Sequence, residues 1–243
     1  MTDSKQRVYI LDALRGIAVV GMIIHHGYVL LNLIKGVDIP FFSSVLFEVL
    51  QTLFVSVFLL VSGICTNYSH NIIRRGTLIL GAAIVITVVT AVILPALQVN
   101  GLEIYFGVLH MFGASMLLYA CLQPLLRRVN TSLLCIVSIA LYIVWSIWIY
   151  FVPYVNGTNN LLMIFGFPSA DFFSADYYPL FPYFFMFIAG TAIGRWILEG
   201  KFPKRFYTVR ISAFEFVGRH SLLIYLLHQP IIFMLILLFD VVF

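Results

Sequence analysis

The sequence contains very few charged residues. Asp, Glu, Lys and Arg make up 10% of its 243 residues, whereas hydrophobic residues make up 62%. Soluble domains carry about 25% charged residues, and these cover the surface that faces water. The scarcity of charge excludes a water-soluble fold. Because apolar spans would fill most of the chain, no length remains for a soluble domain of ordinary size. The bilayer is the expected solvent, and we expect one membrane domain over residues 1–243.

Cysteine is also scarce. Cys65, Cys121 and Cys135 all lie in apolar stretches, which is typical of small packing residues. No spacing of His and carboxylate residues resembles a zinc motif, so no metal is expected. The N-terminal apolar run contains Asp12 and Arg15 and lacks a small-residue cleavage site after it. We therefore expect this run to be a retained first span.

Long apolar runs are what the sequence has in abundance. A helix needs about 20 apolar residues to cross the hydrocarbon core. Seven stretches meet this length, at 8–31, 45–68, 76–97, 104–126, 132–152, 179–198 and 216–239. They predict an all-α polytopic membrane protein of about seven transmembrane helices. The connection at 153–178 is the only long one, and long loops are usually functional.

The distribution of basic residues predicts the orientation. Lys and Arg precede the first span and fill every second connection after it, whereas the remaining connections are mainly acidic. Because basic loops mark the cytoplasmic side, we expect the N-terminus in the cytoplasm and the C-terminus outside, in a bacterial inner membrane. The same bias explains the sequence pI of about 9.0. It indicates lipid contact and not nucleic acid as a partner.

The first span carries ionisable residues, which are costly in a membrane and therefore functional candidates. At 100° per residue, Arg15 lies about 60° and His26 about 40° from Asp12 around a helix, whereas His25 lies about 140° away. This geometry favours His26 over His25. Asp12 and Arg15 are three residues apart, so an ion pair that only anchors the helix end is an alternative interpretation.

The last span contains a second polar set. Ser221, Tyr225 and His228 follow each other at spacings of four and three, so they share one helical face. Arg219 precedes them, and His110 lies at the start of the fourth span. Three histidines at similar or adjoining depths, His26, His110 and His228, favour a shared cavity, and a neutral imidazole is a suitable general base near pH 7. A packing role, or a proton relay in transport, is the alternative.

Several motifs together resemble a known family. RVYILDALRGIAVVGMIIHH, FLLVSGICTNYS, YFGVLHMFGASML, DYYPLFPYFFMFIAGTAIGR and VGRHSLLIYLLHQPI follow the ordered motifs of the transmembrane acyltransferase superfamily. They are most similar to its bacterial heparan-alpha-glucosaminide N-acetyltransferase-like branch, over nearly the whole chain. The chain is shorter than the lysosomal relatives and lacks their large lumenal domain, which argues against heparan itself as a substrate.

The resemblance implies transfer of an acyl group, usually acetyl, from cytoplasmic acyl-CoA to an amino sugar or glycan. His26 matches the first-helix His of the family, and Asp12 and Arg15 match its Asp and Arg-Gly positions. We therefore assign catalysis to these three residues and His228. Whether His26 acts as a base or is itself acylated stays open.

Binding roles follow from the same resemblance. Cations on the cytoplasmic side suit the phosphates of acetyl-CoA. The expected donor-binding residues are Arg15, Arg74, Arg75, Arg219 and Ser221. The expected acceptor-binding residues are His110, Asp176, Tyr177 and Tyr225, although aromatic residues near 177 are also typical of a membrane-interface belt.

Two other classes of function remain as alternatives. A proton-coupled transporter or flippase would use the intramembrane His and Asp residues as proton carriers. A membrane scaffold would catalyse no reaction. The acceptor, the acyl chain length and the oligomeric state, a homo-oligomer included, are not fixed by the sequence.

Overall fold

The computed structural model describes residues 7–69, 71–152 and 160–242, and the secondary-structure elements within these ranges are all helices, joined by loops. Six of the helices are long and apolar enough to cross a membrane, which confirms a multi-pass membrane protein. The helices in chain order are α1 (Tyr9–Lys35), α2 (Val45–Thr66), α3 (Ile72–Ala96), α4 (Val108–Leu126), α5 (Thr131–Phe151), α6 (Leu180–Leu198), α7 (Lys204–Thr208), α8 (Ser212–Arg219) and α9 (Ser221–Val242). A short 3-10 helix, Asn160–Phe165, precedes α6.

The seventh span differs from its prediction at 216–239. Helices α8 and α9 meet at an angle of 84°, and only together do they pass as one broken span. The amide of His220 bonds back to the carbonyls of Phe216 and Val217, which closes α8. Helix α8 carries Glu215 and Arg219 in an ion pair, whereas α9 is apolar in its first turns after Ser221. The apolar helix begins at Ser221, five residues after the predicted start.

Two other helix starts are displaced for visible reasons. The side chain of Asn71 accepts a hydrogen bond from the amide of Arg74, and this cap starts α3 at Ile72. Arg74 and Arg75 therefore lie in the first turn of α3 and not in a loop. Helix α4 begins at Val108 and not at 104, because the segment 104–107 is not helical and bonds to the loop before α6.

Helix α3 contains one widened turn. Residues Val89–Ile93 form a π-helical turn between two regular segments. Thr90 lies in this turn, where its hydroxyl donates to the carbonyl of Ile86 at 2.8 Å and accepts from the amide of Ile104 at 3.1 Å. The turn thus connects α3 to the segment that leads into α4.

The chain forms two compact units. The terminal unit comprises Met1–Val61 and Gly200–Phe243, and the central unit comprises Ser62–Glu199. In the terminal unit, α1 packs on α8 backbone to backbone, because a Cβ at Gly16 would overlap the carbonyl of Phe214 and a Cβ at Gly218 would overlap that of Asp12. One functional domain over 1–243 stays a prediction.

The central unit packs in the same manner. A Cβ at Gly63, in α2, would overlap the carbonyl of Phe187 in α6. Phe187 and Met111 are fully buried, and both lie among other apolar side chains of α4 and α6. Outward-facing residues such as Tyr150 and Phe151 are largely exposed. Exposed apolar side chains on a spanning helix are what contact with lipid requires.

Candidate active site

The terminal unit brings His26 and His228 together across 202 positions of sequence. The two rings stack with centroids 5.0 Å apart, and Nδ1 of His26 lies 2.7 Å from Nε2 of His228. Both side chains are buried. Helix α1 supplies His26 and α9 supplies His228, so this pair depends on the packing of the first and last helices of the chain.

The hydrogen bonds of the pair define which nitrogen holds each proton. Nδ1 of His228 lies 2.6 Å from the carbonyl oxygen of Tyr225, and a carbonyl only accepts, so this nitrogen donates. With neutral rings, Nε2 of His228 then accepts from Nδ1–H of His26. The proton of His26 is therefore on Nδ1. Its Nε2 keeps a lone pair, which is what a base or a nucleophile needs.

His25 is directed to different neighbours. The side-chain amide nitrogen of Gln51 lies 3.2 Å from its Nε2, and the ring of Phe47 lies 5.6 Å away between centroids. Its Nδ1 is buried without a hydrogen bond to any residue that the structure describes. Of the two adjacent histidines, His26 is the one that contacts His228, as the helical geometry favoured. The catalytic role of either stays a prediction.

Asp12 is the centre of an ion network at the start of α1. Its carboxylate lies 2.7 Å from a guanidinium nitrogen of Arg7, 3.7 Å from one of Arg15 and 4.0 Å from one of Arg219. Arg15 also donates to the carbonyl of Gly218 at 3.4 Å. The ion pair of Asp12 and Arg15 thus exists within α1. The contacts of Arg15 with Gly218 and of Asp12 with Arg219 join α1 to the end of α8.

Glu215 extends this network along α8. It is almost fully buried and lies 3.0 Å from Arg210 and 3.1 Å from Arg219. The hydrogen bond from Arg210 to Glu215 raises the pKa of that guanidinium, which also stacks 3.9 Å above the ring of Tyr9. Four arginines around two carboxylates leave a net positive charge of two on this cluster.

Tyr225 and Ser221 lie on α9 near the histidine pair. The ring of Tyr225 lies 5.4 Å from that of His228, and its carbonyl fixes the orientation of the histidine. Ser221 is the first residue of α9, directly after the bend. Tyr225 is therefore beside the candidate base, whereas Ser221 lies at the end that holds the ion network.

His110 belongs to the central unit, where both of its ring nitrogens have partners. The amide of Gly107 donates to Nδ1 at 3.3 Å, and Nε2 lies 3.1 Å from the hydroxyl oxygen of Thr87. Because the Thr87 hydroxyl donates to the carbonyl of Ile104 at 2.8 Å, His110 must be the donor to that oxygen. His110 therefore caps the start of α4. Its role toward a substrate stays a prediction.

Asp176 and Tyr177 hold the loop before α6 in place. Asp176 is buried, and its carboxylate accepts from the amide of Val108, at the N-terminus of α4, at 3.1 Å. The Tyr177 hydroxyl donates to the carbonyl of Met163 at 2.6 Å, and burial raises the pKa of this phenol. Asp176 and Tyr177, which were predicted to bind the acceptor, thus form hydrogen bonds that hold the loops of the central unit in place.

Most charges of the central unit are separated by sign to its two ends, although Glu199 lies at the basic end. Arg195 donates to the carbonyls of Leu126 and Val129, which places the ends of α4 and α6 together. Every arginine of the unit belongs to this basic end, at positions Arg74, Arg75, Arg127, Arg128 and Arg195. The opposite ends of the same helices carry the loops with Glu103, Asp171 and Asp176.

Sequence reasoning missed Glu215 and Gln51. Glu215 precedes Arg219 by four positions, a spacing that pairs opposite charges on a helix, so a signal existed. Gln51 gave none, because a lone amide in an apolar run has no characteristic pattern. Among the residues that the structure describes, no group of three or more His, Cys, Asp or Glu side chains is arranged to hold a metal ion.

Comparison with known proteins identifies the family. Residues 7–230 match the family described as "Heparan-alpha-glucosaminide N-acetyltransferase, catalytic". No curated protein and no solved structure matches the chain. Because the family match extends over nearly all of the sequence, the chain belongs to the heparan-alpha-glucosaminide N-acetyltransferase family, whose members are membrane acetyltransferases that use acetyl-CoA.

Proposed function

We propose that this membrane acetyltransferase moves an acetyl group from acetyl-CoA to an amino sugar or glycan, and that Nε2 of His26 is the reacting base. The observation that carries the proposal is the buried pair of His26 and His228. The chain of bonds from Tyr225 through His228 leaves the lone pair of His26 on one defined nitrogen. A neutral imidazole of this kind is suited to proton transfer near pH 7.

His26 would take the proton of the acceptor amine or hydroxyl as that group attacks the thioester carbon. The new C–N or C–O bond forms and the C–S bond breaks, and His26 then returns the proton to the departing thiolate. Throughout the reaction, Nε2 of His228 would accept the hydrogen bond from Nδ1–H of His26 and stabilise the transient positive charge on the His26 ring. If the acetyl group is first carried by His26 itself, Nε2 is again the atom that attacks.

The donor would bind at the arginine-rich surfaces. Phosphates of acetyl-CoA require cations, and guanidinium groups recognise them with paired hydrogen bonds. Arg74 and Arg75 are exposed in the first turn of α3. In the terminal unit, Arg15 and Arg219 belong to a cluster with net positive charge, and Ser221 follows at the start of α9. These five residues are the proposed donor-binding set.

We also propose that the basic ends face the cytoplasm of a bacterium, with the protein in its inner membrane. The rule that basic residues stay inside supports this orientation, as does the collection of all arginines of the central unit at one end. The acceptor would then approach from the other side. Tyr225 lies beside His228, whereas His110, Asp176 and Tyr177 would shape the acceptor surface through the loops that they hold.

Acetyl transfer by the purified protein tests the proposal. Radiolabelled acetyl-CoA would be supplied with a panel of amino sugars and glycans, and the labelled product measured. We expect His26→Ala to reduce turnover by about 10²- to 10⁴-fold, the usual contribution of a general base. His25→Ala is the matched control, because it removes the adjacent ring and leaves the pair of His26 and His228 intact; we expect it to retain most of the turnover.

Full acetyl transfer by the His26→Ala variant would contradict the assignment of the base. A proton-coupled uptake of solute into liposomes without consumption of acetyl-CoA would contradict the proposed reaction and support a transporter. Loss of turnover in both histidine variants, with unchanged thermal stability, would move the base from His26 alone to the adjacent pair.

A further inference from the structure

The loops at the acidic end of the central unit enclose a cavity that the site described above does not include. Its volume is about 580 Å³, within the range of roughly 300–1,000 Å³ typical of small-molecule sites. The side chains that line it and carry the argument are Glu103, Tyr105, Asn160, Asp171, Phe172 and Phe173.

The walls of this cavity are built by hydrogen bonds between two loops. The amide of Ala175 donates to the carbonyl of Glu103 at 2.8 Å, and the amide of Tyr178 donates to the carbonyl of Phe106 at 3.1 Å. The amide of Tyr105 adds a bond to the Ser174 hydroxyl at 3.3 Å. The two loops are thus paired along their length, so the cavity is a defined concave surface and not a gap between loose segments.

The cavity is negatively charged. Two carboxylates line it, from Glu103 and Asp171, and its lining includes neither Lys nor Arg among the residues that the structure describes. Glu103 is held by bonds from the amide of Gly101 at 3.0 and 3.2 Å. Asp171 is exposed, and within the described part of the chain it has neither a hydrogen bond nor an ion pair. Its carboxylate is therefore available to a ligand with positive charge.

The remaining lining suits a sugar ring. Asn160 accepts bonds from Ser169 on its side-chain oxygen, so its amide nitrogen is the group directed to a ligand as a donor. Tyr105 is 44% exposed and Phe173 is 58% exposed, although both are aromatic. Exposed aromatic faces can stack against the C–H face of a sugar and attract an adjacent ammonium group.

We infer that this cavity is a docking subsite for a protonated amino-sugar unit, and that it selects cationic glycans over anionic ones. The inference rests on the proposed function, in which the acceptor is a sugar, and it adds a binding site and a charge preference. Asp171 pairs with the ammonium group, Asn160 donates to a hydroxyl, and Tyr105 and Phe173 stack on the ring. A sulfated or carboxylated glycan meets two carboxylates that no cation of the lining compensates.

Binding of oligosaccharides without turnover tests this inference. A glucosamine tetramer would be titrated into the full-length protein in the absence of acetyl-CoA, in parallel with the N-acetylated tetramer and a sulfated tetramer. We expect the glucosamine tetramer to bind at least about tenfold more tightly than the N-acetylated one, which is the contribution of about one charge-assisted hydrogen bond. The sulfated tetramer is expected to bind most weakly.

Three variants test whether the oligosaccharide binds in this cavity. Asp171→Asn should weaken binding of the glucosamine tetramer about tenfold, and Phe173→Ala should weaken both the glucosamine and the N-acetylated tetramer. Glu48→Gln removes an exposed carboxylate of the terminal unit and is the matched control, which we expect to bind as the wild type does.

Equal binding of the glucosamine and N-acetylated tetramers would overturn the inference, as would an Asp171→Asn variant with unchanged affinity. Competition by a simple polyamine at equal affinity would overturn the sugar part of it. Because the titration requires no acetyl-CoA, Asp171-dependent binding in a protein that transfers no acetyl group would support the subsite and contradict the proposed function. Active enzyme without this binding would do the reverse.

Discussion

The terminal and central units place their polar side chains in opposite ways. The terminal unit brings them together inside the protein, as the pair of His26 and His228 and as the network around Asp12. The central unit separates most of its charges, with all five arginines at one end and three of its four carboxylates at the other. One of its histidines, His110, has both ring nitrogens committed to the cap of α4.

This contrast shows that a buried histidine is a poor guide to chemistry unless its bonds are known. His26 and His110 are both buried and both hydrogen-bonded. The bonds of His110 satisfy the ring completely, whereas those of His26 define one proton and leave one nitrogen for a reaction. If the contrast is correct, substitutions in the two units should affect different measurements.

Among the substitutions that compare the two units, the largest effect is expected at His228. His228→Ala should reduce turnover about 100-fold without loss of the folded protein, because the His26 ring loses the acceptor that orients it. His228→Gln should retain more activity, since its side-chain oxygen can accept from Nδ1–H of His26. The measurement is kcat and KM for acetyl transfer, with thermal unfolding of each variant in detergent.

The same substitution in the central unit tests the contrast. His110→Ala should lower the free energy of unfolding by about 1 kcal/mol through loss of a helix cap and leave kcat close to that of the wild type. A loss of kcat as large as that of His228→Ala, in a protein of unchanged stability, would remove the distinction between the two histidines.

The glycine contacts should give the next largest effects, and they are a feature that the two units share. Gly218→Ala in the terminal unit and Gly63→Ala in the central unit both place a methyl group against a backbone carbonyl. We expect each to cost about 1–3 kcal/mol of unfolding free energy. Gly81→Ala is the control, because no atom lies within 4 Å of its added methyl group. It should be neutral or stabilising by up to about 1 kcal/mol.

Thermal unfolding of the three glycine variants measures this prediction. A measurement of acetyl transfer by the same variants separates the two units further. Only Gly218→Ala alters the contact between α1 and α8, in the unit that holds the histidine pair. A Gly63→Ala variant that unfolds like the wild type would show that the close approach of α2 and α6 is adjustable, unlike that of α1 and α8.

The aspartates should have smaller effects on stability than Gly218 and Gly63. Asp12→Asn leaves Arg7, Arg15 and Arg219 close together, and we expect a loss of about 1–2 kcal/mol, reduced by the partial exposure of Arg7 and Arg219. Asp176→Asn should change stability by less than about 0.5 kcal/mol, since an amide oxygen can also cap a helix.

Salt dependence distinguishes the two aspartates. High salt should restore part of the stability lost in Asp12→Asn, because it screens repulsion between the arginines. The stability of Asp176→Asn should not depend on salt. Equal salt dependence in unfolding experiments would contradict the separation of a charge network from a helix cap.

Much of the fold could be predicted from the sequence, because span length and the basic bias are set by the bilayer. The bend at His220 could not, since the apolar run from Phe216 onward contains no proline before Pro230. The start of α4 was also missed. The segment 104–107 is as apolar as the helix that follows it, although it is not helical. Its conformation depends on bonds to residues about 70 positions away.

The candidate site was predictable only within single helices. The helical geometry favoured His26 over His25, and spacing placed Tyr225 with His228. The bond between His26 and His228 joins the first and last helices, and no local pattern encodes such a distance. The spacing of Glu215 and Arg219 indicates an ion pair on one helix, but such a local spacing does not show that the carboxylate is buried.

The widened turn of α3 has a consequence for how relatives of this chain can differ in length. A π turn is equivalent to one residue inserted into a regular helix. Because the wider turn takes up the extra residue, deletion of one residue from Val89–Ile93 would restore a regular helix without rotating the two flanking segments relative to each other. Thr87 would then still face His110. A relative that is one residue shorter here can therefore keep the cap of α4, although it has to replace the contact between Thr90 and Ile104.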